Sequence, residues 1–320
     1  MSMMTVPIVF AIDQHVVMQC GVTITSLLLN AKEGTFYEIY ILFEGSKLDR
    51  EHRDVLAEAF STSQHCRLSF VDVGDVFADS EGLAVGHITT ATYFRLAIPT
   101  LLPQYDKVIY SDIDIVFQQD LSDLYQESLK HDELLAAALD LSIDREIYFD
   151  SPMVRAIGKD SSSYFNAGFL VMNSRRLRQE EIQTQLSHHA RIKYEQNDQD
   201  VLNIVCGGDV QVLSSLYNFQ PSHFSSYLWG RKKSDLAFDA YFRGANLHYT
   251  GPEKPWNSLQ CVASDAWWHY YRQSPFFEDS FYFKRQYEQI ESSRNDYRQK
   301  SIKDLLVRVL VNVKHRLSRS

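Results

Sequence analysis

The sequence predicts an α/β fold with a mostly parallel central sheet flanked by helices, followed by a basic, helical C-terminal segment. In the first half of the chain, short apolar runs that suit buried strands alternate with stretches whose apolar residues recur at helical spacing. This alternation is typical of βα units. With 320 residues, 45% of them hydrophobic, the chain is long enough for one large domain and an appendage. We expect the domain to cover residues 1–265 and the appendage residues 266–320.

The predicted elements follow from hydrophobic periodicity and from residues that begin or end helices. Strands are predicted at residues 6–12, 36–43, 67–73, 107–110, 134–139, 165–172, 210–213 and 247–249. Helices are predicted at residues 20–30, 49–60, 91–98, 174–192 and 200–205. Pro99 is expected to end the third helix, and Ser174 to cap the fourth. The first two helices are expected to turn five apolar residues toward the core: Leu27, Leu28, Val55, Leu56 and Phe60.

Charge is distributed unevenly along the chain. The net charge is −9, yet residues 294–320 contain eight Lys or Arg and two Asp, so this tail carries +6 and the rest −15. An acidic body argues against nucleic acid as the main partner. The tail combines Lys and Arg with apolar residues at helical spacing, which favours contact with an anionic membrane surface. The alternative is that the tail helix packs on the body.

Two further observations concern the compartment. The sequence contains no run of about 18 apolar residues, which a membrane span requires, and its start lacks the basic-then-apolar order of a signal peptide. We therefore expect the chain in the cytoplasm, on the inner face of the membrane through its tail. The four cysteines lack CxxC spacing, so they are expected to be free thiols packed as small apolar residues.

Two aspartates directly follow the fourth predicted strand. Asp112 and Asp114 flank Ile113, and because side chains alternate along an extended chain, both carboxylates point to the same side. Two adjacent carboxylates repel each other and are costly to bury, so a bound cation is the natural resolution. The spacing by itself leaves a turn or a helix cap as the alternative.

A second polar cluster follows the last predicted strand. His248 is expected to complete the metal sphere, Gly251 to let the backbone approach a phosphate oxygen, and Lys254 to place a positive charge on a diphosphate. Carboxylate oxygens together with an imidazole suit Mn²⁺, with Mg²⁺ as the alternative. The structural alternative is a Pro/Gly turn with a core histidine and an exposed lysine.

Six motifs resemble, in their order along the chain, those of glycosyltransferase family 8. They are VFAID at residues 9–13, ATYFRL at 91–96, YSDID at 110–114, YFNAGF at 164–169, NDQDVLN at 197–203 and HYTGPEKPW at 248–256. The resemblance covers roughly residues 6–260 and is closest to bacterial galactosyl- and glucosyltransferases of lipopolysaccharide core and other surface glycans. It implies a GT-A fold, UDP-glucose or UDP-galactose as donor, a glycan or lipid-linked glycan as acceptor, and retention of the anomeric configuration.

The resemblance also implies roles for individual residues. The positions that match manganese ligands are Asp112, Asp114 and His248, and those that match diphosphate contacts are Gly251 and Lys254. The uracil positions are Ala11 and Asp13, beside which His15 replaces the small polar residue common in relatives. Positions around the donor sugar are Arg95, Asp140, Asn166, Ala167, Asp198 and Gln199, and His87 lies in a segment similar to the lid over the donor.

Each of these residues also has a structural interpretation. Asp140 could cap the next segment, Asn166 could form a turn, and Asp198 could be a helix N-cap. Arg95 could pair with any carboxylate of the acidic body. Two other functions stay open as well: a haloacid-dehalogenase-like phosphatase, whose nucleophile strand also ends in Asp-x-Asp, and a non-enzymatic protein that binds sugar nucleotides.

The matching residues also bear on the mechanism. The metal and Lys254 are expected to stabilise the charge that develops on the leaving UDP. Gln199 matches the position beneath the anomeric carbon, and an amide is a poor nucleophile. We therefore expect front-face attack, with double displacement through Asp198 as the alternative.

Overall fold

The computed structural model describes residues 3–74, 90–140, 164–222, 244–258 and 261–282, together with residues 284, 288 and 291. The chain divides into two compact units, residues 1–276 and residues 277–320. His87 and the predicted tail helix lie outside the described residues. In the described part of the chain, no helix is long and apolar enough to cross a membrane.

Seven of the described strands form one sheet in the first unit. The strands are β1 Met4–Ala11, β2 Thr35–Phe43, β3 Cys66–Asp72, β4 Val108–Ser111, β5 Ile115–Val116, β6 Leu135–Leu139, β7 Phe165–Met172, β8 Val210–Leu213 and β9 Leu247–His248. The sheet order is β3-β2-β1-β4-β7-β6-β8, and β5 pairs separately with β9. Within the sheet, β7 runs antiparallel to both neighbours and the other pairs are parallel. The predicted mostly parallel sheet is confirmed.

The helices cover both faces of this sheet. They are α1 Val17–Leu29, α2 Arg50–Phe60, α3 Ile98–Leu101, α4 Ser122–Glu127, α5 Ser174–Leu177, α6 Glu180–His189, α7 Asn197–Cys206 and α8 Ser264–Tyr271. Short 3-10 helices lie at Gln14–Val16, Gly45–Lys47, Thr90–Ala97 and Ser215–Tyr217. One core cluster packs α1 and α2 on one face of the sheet, and the other packs α6 and α7 on the opposite face. Strands buried on both faces explain the continuous apolar runs of the sequence.

Several local predictions were wrong. The third predicted helix is the 3-10 helix Thr90–Ala97, and apolar spacing over so few residues cannot separate the two helix types. Pro99 lies in the first turn of α3 instead of ending a helix, a position where its missing N–H costs little. The fourth predicted helix is divided into α5 and α6 because Gln179 has extended backbone.

Two side chains also differ from expectation. The cap of α5 is Asn173, whose side chain accepts a hydrogen bond from the Arg176 amide, and Ser174 is the first helical residue. Val55 is 49% exposed, because α2 buries only the narrow stripe that contains Leu56 and Phe60. The prediction of free thiols is confirmed for all four cysteines, three of which are buried.

Candidate functional site

A cavity of about 330 Å³ opens where β1 and β4 end. These two parallel strands are neighbours, whereas the chain continues from β1 to β2 and β3 in the other direction. Such a reversal of strand order leaves a crevice outside the carboxyl ends, where ligands bind in open α/β sheets. Most of the described residues that the sequence singled out line it: Ala11, Asp13, Arg95, Asp112, Ile113, Asp114, Asn166, Ala167, Asp198, Gln199, His248, Gly251 and Lys254. The exceptions are His15, which is exposed, and Asp140, which accepts hydrogen bonds from two lining residues, Asn166 and Gln199.

The two aspartates and the histidine converge at the base of this cavity. His248 Nε2 lies 3.3 Å from Asp114 Oδ1 and 3.8 Å from Asp112 Oδ2. Asp112 Oδ1 accepts hydrogen bonds from Tyr110 Oη at 2.7 Å and from Arg95 Nη2 at 2.9 Å. The second oxygen of Asp112 therefore faces His248, as expected for a shared ligand.

These residues fit a divalent cation. One atom from each of Asp112, Asp114 and His248 can be chosen so that all lie within 4.8 Å of one another. Asp114 Oδ1 is buried and accepts no hydrogen bond, which is costly unless a cation offsets it. His248 Nδ1 is 2.8 Å from Asn218 Oδ1, so donation there leaves the Nε2 lone pair facing the carboxylates. Carboxylate oxygens with one imidazole match the ligand preferences of Mn²⁺ and Mg²⁺.

Electrostatics keep Asp114 ionised. Burial alone would raise the pKa of its carboxyl, but the Lys254 ammonium outweighs that effect and holds the pKa well below its usual range. Lys254 Nζ lies 2.5 Å from Asp114 Oδ2 and 2.6 Å from the carbonyl oxygen of Tyr249. Lys254 is therefore not the exposed lysine of the structural alternative, since its side chain is 15% exposed.

A glycine in β7 allows this close approach. A Cβ atom on Gly168 would lie 2.2 Å from His248 Cε1 and 2.8 Å from Asp112 Oδ2. In addition, the Gly168 carbonyl accepts the Asp112 amide at 2.7 Å. Gly168 belongs to the YFNAGF motif at residues 164–169, but the sequence analysis gave it no role in the site. A glycine inside an otherwise apolar strand is the signal that marks such a contact.

Arg95 connects Asp112 with Asp198 in the lining of the cavity. Arg95 is 4% exposed, and its guanidinium stacks 4.3 Å above the Tyr110 ring and lies 2.8 Å from Asp198 Oδ2. Burial alone would lower the pKa of Arg95, but Asp112 and Asp198 raise it above its usual value. For Asp198, burial raises the pKa to about 6, against the opposing effects of Arg95 and Thr92. Arg95 thus pairs with site carboxylates and not with an arbitrary surface group.

Asp198 and Asn166 do not have the structural roles that the sequence left open. The N-cap position of α7 is Gln196, and Asp198 lies inside the first turn, where its Oδ1 accepts from Thr92 Oγ1 at 2.5 Å. Asn166 lies within β7 and not in a turn. Asp13, in contrast, does cap a 3-10 helix, because its side chain accepts from the His15 amide at 2.8 Å.

A hydrogen-bonded chain of amide and carboxylate side chains joins Gln199 and Asp140 to His248, one of the candidate metal ligands. Asp140 Oδ2 accepts from Gln199 Nε2 at 2.9 Å and from Asn166 Nδ2 at 3.0 Å. Gln199 Oε1 accepts from the Ala167 amide at 2.9 Å. Asn218 Nδ2 donates to Asn166 Oδ1 at 2.9 Å, and Asn218 also orients His248. Asn218 is fully buried and was missed by the sequence analysis, since a single Asn outside any periodic pattern gives no signal.

Comparisons with known proteins agree with this geometry. The profile of glycosyl transferase family 8 matches residues 7–260. A putative glycosyltransferase of Haemophilus influenzae is 29% identical over 79% of this chain and 73% of its own length. The lipopolysaccharide 1,3-galactosyltransferase of Salmonella typhimurium is 25% identical over 82% of this chain and 79% of its own length.

Solved structures give the same result. The galactosyltransferase LgtC, crystallised with donor and acceptor sugar analogs, superposes with a TM-score of 0.69 and 26% identity over 87% of this chain and 99% of that one. The bifunctional glycosyltransferase WbbM superposes with a TM-score of 0.72 and 25% identity over 88% of this chain, which spans about half, 51%, of that protein. The fold is GT-A-like, and since the family profile covers most of the sequence, the chain belongs to glycosyltransferase family 8.

Proposed function

We propose that the chain transfers glucose or galactose from a UDP-sugar to a glycan or lipid-linked glycan acceptor, with retention, in the biosynthesis of lipopolysaccharide or another surface polysaccharide. The observation that carries this proposal is the convergence of Asp112, Asp114 and His248 in the cavity, with Lys254 beside them. The likeness to a lipopolysaccharide 1,3-galactosyltransferase supports the substrate class.

The residues of the cavity have different roles in binding and catalysis. Asp112, Asp114 and His248 would hold a divalent cation, Mn²⁺ or Mg²⁺, which supplies positive charge beside the leaving diphosphate. Lys254 adds a further positive charge within the same loop as Gly251, whose φ of +81° lets the backbone turn toward a phosphate. The negative charge that develops on the leaving diphosphate is thereby stabilised. Its departing oxygen therefore needs no proton from a general acid.

Retention is best explained by attack on the face from which UDP leaves. Both polar ends of the Gln199 amide are held by Ala167 and Asp140, which fixes a weak nucleophile in place. Asp198 is the other candidate nucleophile. One of its carboxylate oxygens accepts a hydrogen bond from Thr92, and the other pairs with Arg95, so both oxygens are engaged. The acceptor oxygen then bonds to the anomeric carbon as the bond to UDP breaks, and a leaving phosphate oxygen takes the acceptor proton.

Two alternatives make different predictions for one assay. Release of UDP would be measured from UDP-glucose and UDP-galactose with a glycan acceptor, in Mn²⁺, in Mg²⁺ and in EDTA. We expect turnover with one of the two UDP-hexoses, and we expect EDTA to abolish this turnover. Phosphate release from a simple phosphomonoester without any UDP-sugar would favour the phosphatase instead. Tight binding of UDP-sugar without turnover on any acceptor would favour the non-enzymatic protein.

The proposed lipid-linked acceptor agrees with a membrane-bound location, which we base on the sequence of the tail. We propose that residues 300–320 bind the anionic inner face of the membrane through Lys and Arg. Truncation before Lys300 should weaken binding to anionic vesicles and leave activity on a soluble acceptor unchanged. Vesicle binding that survives truncation would contradict this role.

A further inference from the structure

Lys254 holds one of the two carboxylates that form the candidate metal site. Its ammonium lies 2.5 Å from Asp114 Oδ2, and both side chains are 15% exposed, so solvent screens the pair weakly. The two residues are 140 positions apart in the sequence. This contact therefore fixes the loop after β9 against the Asp-x-Asp turn after β4.

Two cations of the protein already lie against the two aspartates, although one of them, Arg95, also pairs with Asp198. Arg95 Nη2 lies 2.9 Å from Asp112 Oδ1, and Lys254 offsets Asp114. A divalent cation bound by Asp112, Asp114 and His248 would therefore add positive charge to a site that already holds two cations. In surroundings of low dielectric, like charges a few ångströms apart repel strongly.

The free oxygen of Asp114 does not remove this conflict. Asp114 Oδ1, which faces His248, accepts no hydrogen bond and is the oxygen open to a metal. A cation on Oδ1 would still be separated from the Lys254 ammonium by a single carboxylate. Binding of the metal is therefore favoured if one of the two protein cations moves away.

Lys254 is the cation that can move. Arg95 is anchored by further contacts with Thr92, Ala167 and Asp198, and it stacks on Tyr110. The ammonium of Lys254 has a second contact, the carbonyl of Tyr249, which water or a phosphate oxygen can replace. A lysine at the end of a flexible side chain also changes partner with little rearrangement of the fold.

We propose that Lys254 competes with the divalent cation for Asp114, and that a diphosphate ends this competition by drawing the ammonium away from the carboxylate. The inference rests on the proposed function, which supplies the metal and the nucleotide. Metal and nucleotide then bind cooperatively, because the diphosphate removes the cation that hinders the metal. By linkage, the metal strengthens nucleotide binding by the same factor.

The competition can be measured by binding, without an activity assay. The affinity for Mn²⁺ would be determined by calorimetry with and without UDP for the wild type, Lys254→Met and Lys130→Met. Lys130 is an exposed residue paired with Glu127, so its variant controls for the loss of one positive charge elsewhere on the chain. Without UDP, Lys254→Met should bind Mn²⁺ at least about fivefold more tightly than the wild type, the lower end of typical coupling. The gain in Mn²⁺ affinity caused by UDP should shrink correspondingly, and Lys130→Met should resemble the wild type.

A second variant keeps the charge. Lys254→Arg should retain the weak Mn²⁺ binding of the wild type without UDP, and thermal melting would establish that each variant is folded. Mn²⁺ binding that is unchanged or weaker in folded Lys254→Met, or equally tight in Lys254→Arg, would overturn the competition while leaving the proposed function intact. If the wild type binds no Mn²⁺ even with UDP, the proposed metal-dependent transfer fails, and the competition fails with it.

Discussion

Asp114 and Asp120 are two largely buried carboxylates six residues apart in the sequence, yet they have different partners in the fold. Asp120 accepts hydrogen bonds from Tyr37 Oη at 3.0 Å, from the Lys32 amide at 2.9 Å and from the Ser122 amide at 2.8 Å, and also from the Ser122 hydroxyl. All of these donors are neutral, and both oxygens of the carboxylate are used. Asp120 therefore holds segments of the fold together.

The hydrogen bonding of Asp114, in contrast, is incomplete. Its partners are the Lys254 ammonium and the imidazole of His248, and its Oδ1 accepts no hydrogen bond. The difference shows how a structural carboxylate is distinguished from a ligand. The structural carboxylate is satisfied with neutral donors, whereas the candidate ligand carboxylate keeps one oxygen without a hydrogen bond and has a charged partner that can exchange.

Gly168→Ala should have the largest effect, because it disrupts the geometry of the ligand carboxylates directly. The new methyl group would overlap His248 Cε1 at 2.2 Å and crowd Asp112 Oδ2. We expect Mn²⁺-dependent transfer to be lost, with overpacking costing about 1–3 kcal/mol of stability. Gly34→Ala controls for lost stability away from the site: no atom lies within 4 Å of a Cβ there, but its φ of +89° strains an alanine, so it should lose stability and keep its affinity for Mn²⁺. Calorimetry with Mn²⁺ and UDP would check it, and normal metal affinity in Gly168→Ala would contradict the proposed packing.

Asp114→Asn should remove metal-dependent transfer while sparing the fold. A neutral amide cannot supply the charge that a divalent ligand requires, and Lewis-acid assistance is worth several kcal/mol, so we expect turnover to fall at least about 100-fold. Its melting temperature without metal should fall modestly, because Lys254 loses the charge of its partner while the amide oxygen can still accept from the ammonium. Turnover close to wild type, or a fold that collapses, would place Asp114 with the structural carboxylates.

Asn218→Leu should have an intermediate effect through His248. Asn218 Oδ1 accepts a hydrogen bond from Nδ1 of the His248 imidazole. Without this acceptor, the lone pair at Nε2 is no longer fixed toward the carboxylates. Loss of such an outer partner typically costs about 10–100-fold in metal affinity. Asn173→Leu is the control, since Asn173 is also buried but caps α5. The prediction requires weaker Mn²⁺ binding in Asn218→Leu than in Asn173→Leu.

How much of this could be predicted from the sequence depends on the distance between partners. Strand alternation places Asp112 and Asp114 on one side, and a sheet built from βα units places them at the end of β4. The contact between Lys254 and Asp114 joins residues far apart in the chain, so no local pattern reports it. The position of Asn218 is likewise set by tertiary packing. The exposure of Val55 shows the same limit within a helix, because periodicity indicates a face but not its width.

Asp120→Asn should have the smallest effect on activity and a clear effect on stability. The variant keeps the shape of the side chain but replaces one acceptor oxygen by an amide group, which faces donors in a buried site. A buried hydrogen-bond mismatch of this kind costs about 1–3 kcal/mol. Metal affinity and turnover per folded molecule should match the wild type, because none of the partners of Asp120 lines the cavity.

The pH dependence of this loss can be derived from the charge of Asp120. Burial raises the pKa of its carboxyl, but hydrogen bonds from Ser122, Lys32 and Tyr37 outweigh burial and lower the pKa overall. The ionised form is thus favoured in the folded protein, so its stabilisation is fully present above the unfolded pKa of about 3.9 and is lost as the pH falls through the lowered value. Urea unfolding of the wild type and Asp120→Asn should therefore differ most at neutral pH and converge in acid. A difference that is constant with pH would mean that the charge of Asp120 contributes nothing, and that the contrast with Asp114 does not lie in how each carboxylate is satisfied.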